Sequence, residues 1–360
     1  GGGLARLFDE RPVLLRLTCV LVRQWLDCSG RLLVRLTRDF PAIAQTLLSS
    51  GAAHVVIGIS GHLSDPHQGG QSVLIVAFSS GARVVYKPKD MRIDAAWQSL
   101  VAALNQGNAP LTLRAPRCIT RDHYGWAEYI EHAACADSTG FTAFFRRAGA
   151  WLALLHVFAA SDMHHENIIA AGDHPIPIDL ETILQAGNDD RTGCSLRETA
   201  FESARRIVAD CVMAVGLLPA YARSSDSGEF FEVGGVAADA SEGARLAWRD
   251  LNTDAMRPEM LAPAGASMPS TNLPHIAGRS PRLGDHIDDL IGGFVAYAGF
   301  LASPDGRTTV AAAFDDFAGL PVRKVLRPTQ FYALLLQRLK NDRTMADGAT
   351  WSAQADFVAR

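Results

Sequence analysis

No C-x-x-C pair occurs among the six cysteines of this chain, and no cysteine stands near a histidine cluster. Cys19, Cys28, Cys118, Cys135, Cys194 and Cys211 therefore read as reduced structural thiols, the pattern of a cytoplasmic protein rather than of a disulfide scaffold. H-E-x-x-H spacing is missing as well. His164, His165 and Glu166 in a row are not spaced as zinc ligands on a helix, so no structural zinc is expected. Charge of neither sign dominates: 34 Lys and Arg against 38 Asp and Glu leave a formal −4. That balance removes any overall attraction to nucleic acid or to an anionic membrane, so a basic site must be local. The apolar run "VLLRLTCVLV" at 13–22 is broken by Arg16 and is too short and too polar to span a bilayer. No signal peptide is expected from the residues given, and no internal repeat is seen in them. The opening "GGG" without methionine is expected of a piece of a longer protein.

What remains is a chain that can bury a large core: 48% of its 360 residues are hydrophobic, enough for one large domain or two lobes. Three-to-four spacing predicts helices over 11–27 and 31–49, punctuated by Pro12 and Pro41. The period then changes to that of a strand. "QSVLIVAF", "SSG" and "ARVVYKP" predict a hairpin that ends at Pro88 and carries Lys87. A mixed segment covers 111–131. A helix near 138–159 follows, expected to bury one side through Phe141, Phe144 or Phe145, Ala148, Trp151 or Leu152, and Leu155. Residues 198–217 and 283–302 read as helices, while 222–245 and 257–282 are rich in Gly, Ser, Ala and Pro and read as loops.

The helix near 138–159 delivers the chain into "SDMHHENIIAAGDHPIPIDLETIL" at 161–184. A lysine-bearing hairpin, a connecting strand, a long helix, a polar loop and a buried aspartate, in that order, outline a kinase. Asp162 and Asn167 lie five apart, as do the base-like Asp and metal-binding Asn of a kinase catalytic loop. Asp179 follows on an apolar strand, where an unpaired carboxylate would be costly to bury without a cation. Phosphoryl transfer needs an acid near the nucleophilic hydroxyl and oxygen ligands for Mg²⁺, and Lys87 supplies a point charge for phosphates. H-R-D, D-F-G and G-x-G-x-x-G are all absent. Instead D-x-H-x-x-N, with His164 two residues after Asp162, resembles the catalytic loop of phosphoinositide-type lipid kinases. Upstream, "SGHLSDPHQGGQSV" offers Asp65, His67, Gly69 and Gly70 for a phosphate-facing turn.

Together with "VVYKPKD", "YGWAEYI", "PIDLET", "LNTDAM", "NLPHIAG", "GGFVAY" and "VRKVLRPTQFYALL", these stretches resemble the dehydratase domain of class II lanthipeptide synthetases of the LanM type, from about residue 54 onward. The resemblance implies an α+β, lipid-kinase-like two-lobed fold with added helical elements: an N-terminal helical segment over 1–53, an N-lobe over 54–132 and a helical C-lobe over 133–360. It implies ATP and Mg²⁺, and a ribosomally made precursor peptide with a leader, whose Ser and Thr are phosphorylated and then lose phosphate to leave dehydroalanine or dehydrobutyrine. Lys87, Asp162, His164, Asn167, Asp179 and Glu181 match the phosphorylation site, with Asn167 and Asp179 as Mg²⁺ ligands and Lys87 and Glu181 on the nucleotide side. Asp65 and His67 match the phosphate-side loop, and Arg323 and Thr329 match elimination positions. Expelling phosphate from a β-carbon needs a cation and hydrogen-bond donors, which Arg323 and Thr329 can supply. Lys87 and Asp65 are the candidates for the base that removes the α-proton. The cysteine and histidine constellation of the family's zinc cyclase is absent, so the chain is expected to dehydrate and not cyclise, and to work with a cyclase domain or partner. Two other readings keep part of this set. A small-molecule or lipid kinase would use Asp162, Asn167 and Asp179 without Arg323 and Thr329, and a leader-binding pseudo-enzyme would need none of them. Taken alone, Arg323 is a solvated basic residue and Glu181 the partner of a cation.

Overall fold

The computed structural model describes residues 2–49, 54–61, 67, 69–184, 200–223, 230–236, 245–250, 253–261, 271–323 and 329–359. Along the chain run α1 (Gly3–Glu10), α2 (Pro12–Thr46), β1 (Val56–Ser60), β2 (Leu74–Phe78), β3 (Arg83–Lys87), α3 (Arg92–Gln106), β4 (Cys118–Arg121), β5 (Tyr124–Glu128), α4 (Thr139–Val157), β6 (Ile168–Ala171) and β7 (His174–Pro177). After these come α5 (Ala200–Ala209), β8 (Ala220–Arg223), β9 (Phe230–Val233), β10 (Arg245–Arg249), β11 (Arg257–Leu261), α6 (Ile287–Ala302), α7 (Pro304–Phe317), α8 (Thr329–Leu339) and α9 (Gly348–Ala359). Two compact units form, one from Gly1–Lys89 with Lys324–Arg360, the other from Asp90–Arg323. The division after Lys89 falls inside the segment 54–132 that the sequence assigns to one lobe.

In the first unit, α2 is a single helix where two were expected. Pro12 takes its first turn, where a missing N–H costs nothing. Gly30 is helical and merely lowers local stability, by about 1 kcal/mol relative to Ala. Pro41 sits inside the helix and removes the bond its N–H would give to the Thr37 carbonyl. Burial of Leu32, Leu36 and Ile43 on one face carries the helix through all the same. β1, β2 and β3 are antiparallel neighbours, with Leu74 opposite Tyr86 and Val76 opposite Val84. Gly81, at φ 83°, turns the expected hairpin. Val76, Phe78, Val84 and Tyr86 alternate onto the buried face. Strand β3 ends on Lys87.

The second unit is built around α4. Its N-terminal turns bury Phe144 and Phe145, and from Ala148 to Leu155 every residue is buried, so the one-sided face read from the spacing is corrected to burial all round. The reason is α6. Gly149 and Gly293 let the two backbones meet: a Cβ built on Gly149 would lie 2.0 Å from the Leu290 carbonyl oxygen, and one on Gly293 1.9 Å from that of Arg146. Trp97 of α3 stacks on Trp151 at 6.0 Å and meets Phe158 edge-on, closing the other side. Trp151 Nε1 donates to the Pro175 carbonyl at 2.7 Å, and Arg147 Nη1 donates to Asp173 Oδ2 at 2.7 Å. These bonds hang the β6–β7 hairpin on α4. Beyond it, the helix read over 198–217 ends at Ala209 and gives way to a 3₁₀ turn at Val212–Val215, stopped by Gly216 at φ 81°. The segments read as loops hold β9 and β11, paired antiparallel with β8 and β10, which lie partly outside them; short stretches such as "FFEV" carry strand formers. Among the described residues no helix is long and apolar enough to cross a membrane.

Candidate functional site

The loop after α4 is held in an unusual backbone state from several sides. Ala159 at φ 44° and Asp162 at φ 67° occupy the left-handed region, which non-glycine residues seldom adopt and which persists only where the surroundings enforce it. Ser161 N donates to the Thr182 carbonyl at 3.0 Å, and the Thr182 hydroxyl donates back to the Ser161 carbonyl. Met163 N donates to the Val215 carbonyl at 2.9 Å. Two glycines press on the same loop: a Cβ on Gly216 would come within 3.0 Å of Met163 N, and one on Gly235 within 2.5 Å of the Met163 oxygen. Asn272, 1% exposed, donates to the Gly235 carbonyl at 3.0 Å. Gly216, Gly235 and Asn272 were not among the residues picked from the sequence. The available signal was Asn272 inside "NLPHIAG" and a glycine at each approach.

Six of the sequence's candidates gather here. Glu166 N donates to His164 Nδ1 at 3.3 Å, which leaves the imidazole proton on Nε2, 3.5 Å from Asp162 Oδ1. Asn167 Nδ2 donates to the Asp162 carbonyl at 2.7 Å and so leaves Oδ1 as the oxygen its side chain can offer elsewhere. Asp179 is not on the strand where the sequence placed it. β7 ends at Pro177, and Asp179 sits half-buried in the turn beyond, with Oδ1 accepting from Glu181 N at 3.1 Å. Arg323 is joined to Glu181 twice, Nη1 to Oε2 at 2.7 Å and main-chain N to the Glu181 carbonyl at 3.1 Å.

The charges converge. Partial withdrawal from water pushes the Asp162 carboxyl above its ordinary value even though 57% of the side chain is exposed. His164 and Arg323 pull it down, while Asp179 pushes it up further. Arg323 is pushed up, first by its hydrogen bond to Glu181 and beyond that by the Asp179 and Asp162 charges. A carboxylate with a raised proton affinity beside a fixed cation is equipped to accept a proton and to meet a phosphate.

The remaining candidates lie in the other unit or outside the described residues. Lys87 closes β3 and is only 8% exposed, a degree of burial rare for lysine. His67 is exposed and pairs with Gln71 across the Gly69–Gly70 turn, each main-chain N–H donating to the other's carbonyl at 2.8 Å. That turn rests on α2, where a Cβ on Gly70 would be 3.2 Å from Gln24 Cβ. Asp65 lies outside the described residues. Thr329 is the first residue of α8, and its side-chain surroundings also lie outside them.

A family model described as a domain of unknown function, DUF4135, matches residues 12–360. The chain belongs to the DUF4135 family. A curated relative of this DUF4135 chain is the "Lacticin 481/lactococcin biosynthesis protein LcnDR2" of Lactococcus lactis subsp. lactis, 20% identical over 230 residues. The aligned part covers 61% of the DUF4135 chain but only 24% of that relative's length.

The donor set of the DUF4135 loop suits a hard divalent cation. Asn167 Oδ1 and the Asp179 carboxylate offer oxygens, the kind of donor Mg²⁺ prefers. Among the described residues no group of three or more His, Cys, Asp and Glu is arranged to hold a metal. Two side-chain oxygens suit an ion that completes its shell with phosphate oxygens and water, as Mg²⁺ does. Were the loop to hold Mg²⁺ with ATP, Asp179→Ala should weaken that binding by about tenfold or more, measured by calorimetry with and without Mg²⁺. Equal affinity for parent and variant in Mg²⁺ would remove Asp179 from the metal site.

Proposed function

We propose that the chain is a lanthipeptide dehydratase with a lipid-kinase-like core, which uses ATP and Mg²⁺ to phosphorylate Ser and Thr of a leader-bearing precursor peptide and then eliminates the phosphate. One observation carries the reading: Arg323, a position suited to elimination, is tied to the Glu181 segment, whose N–H holds Asp179 Oδ1, a group suited to phosphorylation. A plain kinase has no need of that cation. The relationship to a protein named for lacticin 481 biosynthesis supports a role in lanthipeptide production and a precursor peptide as substrate.

In the first half-reaction the peptide hydroxyl attacks the γ-phosphorus, the bond to ADP breaks, and Asp162 takes the hydroxyl proton. His164, with its proton on Nε2, faces Asp162 and orients its carboxylate. Asn167 and Asp179 would hold Mg²⁺, which when bound would supply positive charge to the phosphate oxygens. In the second, the α-proton passes to a basic side chain, Lys87 or Asp65. The Cβ–O bond breaks, and inorganic phosphate leaves with the electron pair beside Arg323, with Thr329 as a hydrogen-bond donor.

The test is mass spectrometry of the precursor peptide after incubation with ATP, Mg²⁺ and each variant. Arg323→Ala and Thr329→Ala are expected to give a product heavier by a phosphoryl group, whereas the parent gives one lighter by water. Dehydration by Arg323→Ala at the parent rate would make Arg323 a surface charge. Stable phosphopeptide from the parent would leave a kinase without lyase activity.

A further inference from the structure

We propose that Glu181 is a positioning residue for Arg323 in the elimination step, and not a ligand of nucleotide or metal; this rests on the dehydratase reading above. The two residues lie 142 positions apart in sequence, yet are joined by a side-chain contact and a main-chain hydrogen bond. Such a double attachment fixes the path of the chain at Arg323 and restrains its guanidinium. With Nη1 held on Glu181 Oε2, the directions in which the rigid fork can aim its other N–H groups are narrowed. The exposures agree with that division of labour: the Glu181 side chain is 22% exposed and that of Arg323 51%. The carboxylate is the sheltered anchor, and the guanidinium is the group presented to solvent and ligand. A cation placed on the same carboxylate would also meet the guanidinium, a like charge, at close range. Glu181 N meanwhile donates to Asp179 Oδ1, so the Glu181 peptide spans the gap between the residue assigned to metal and the residue assigned to the departing phosphate.

The step concerned breaks the Cβ–O bond of the phosphorylated residue. Phosphate leaves with the bonding pair, and the α-proton goes to a protein base as the Cα–Cβ double bond forms. Arg323 meets the departing charge; Glu181 acts through Arg323.

The two half-reactions are measured apart. A leader-bearing precursor peptide, made with one phosphoserine in its modifiable part, reports elimination in Mg²⁺ without ATP. The unphosphorylated peptide with ATP reports ADP release. Glu181→Gln is expected to slow elimination at least about tenfold more than it slows ADP release, with phosphopeptide accumulating when both steps run. Glu181→Asp, which retains the charge, should recover part of the elimination rate. In the Arg323→Ala background, Glu181→Gln should add no further loss, because the residue it positions is gone. Loss of ADP release in Glu181→Gln with elimination at the parent rate would overturn the proposal and return Glu181 to the nucleotide side. Additive losses in the double variant would overturn it too. A parent enzyme that neither phosphorylates nor eliminates would instead bring down the dehydratase reading itself.

Discussion

Gly293→Ala is expected to lose about 3 kcal/mol of stability or more, while Gly292→Ala, one residue earlier in the same helix, is expected to be neutral or to gain up to about 1 kcal/mol. A methyl at 293 would sit 1.9 Å from the Arg146 carbonyl oxygen, a backbone atom that no rotamer change can move aside. A methyl at 292 would meet nothing within 4 Å. Gly149→Ala should behave like Gly293→Ala, because it faces the Leu290 oxygen from the other side of the crossing. Urea midpoints of the three variants decide the matter. Equal midpoints for 292 and 293 would mean that α4 and α6 do not cross at this point. The effect should extend to the candidate site, because α4 hands the chain directly to the loop that carries Asp162.

Asp162→Asn is expected to lower phosphorylation by about 10²-fold or more without destabilising the protein. The side chains are close in size, and asparagine tolerates the left-handed backbone at φ 67° as well as aspartate does. Asp162→Ala does not share that tolerance and should be less stable than Asp162→Asn by about 1 kcal/mol. The raised carboxyl gives the pH dependence its sign. A group whose proton is bound more tightly in the folded state than in the unfolded state favours folding below its unfolded pKa, and that contribution is lost as pH rises through the higher folded pKa. Relative to Asp162→Asn, the parent should therefore lose stability on going from about pH 4 upward. Thermal melts of the pair across this range check it. A parent that gains stability over the variant as pH rises would mean that the carboxylate is stabilised by its neighbours.

The clustering of Asp162, His164 and Asn167 was legible because it is local: they lie within six consecutive residues, and any backbone that turns there keeps them close. Arg323 and Glu181 were legible as residue types but not as partners, since nothing in the spacing of positions 142 apart states a distance. The motif "GGFVAY" displays two glycines, yet only helix phase, fixed by packing against α4, decides that Gly293 and not Gly292 meets a backbone. The break read between 27 and 31 misled for a similar reason. Local chemistry says that Ser29 and Gly30 weaken a helix, and burial of Leu32 and Leu36 just beyond them outweighs it. Asp179 was read as a strand residue because "PIPID" looks continuous. The pairing partner Ile168 is opposite Pro177, and the ladder ends there.

The hydrogen bonds exchanged between Ser161 and Thr182 have a consequence for anyone who would alter the specificity of this loop. They weld the residue before Asp162 to the turn that carries Asp179 and Glu181, so these acidic groups share one frame and lack independent freedom of movement. A change that shifts one of them by an ångström drags the others along. Improvement by single substitutions should therefore stall, and productive variants should come as matched changes on the two segments.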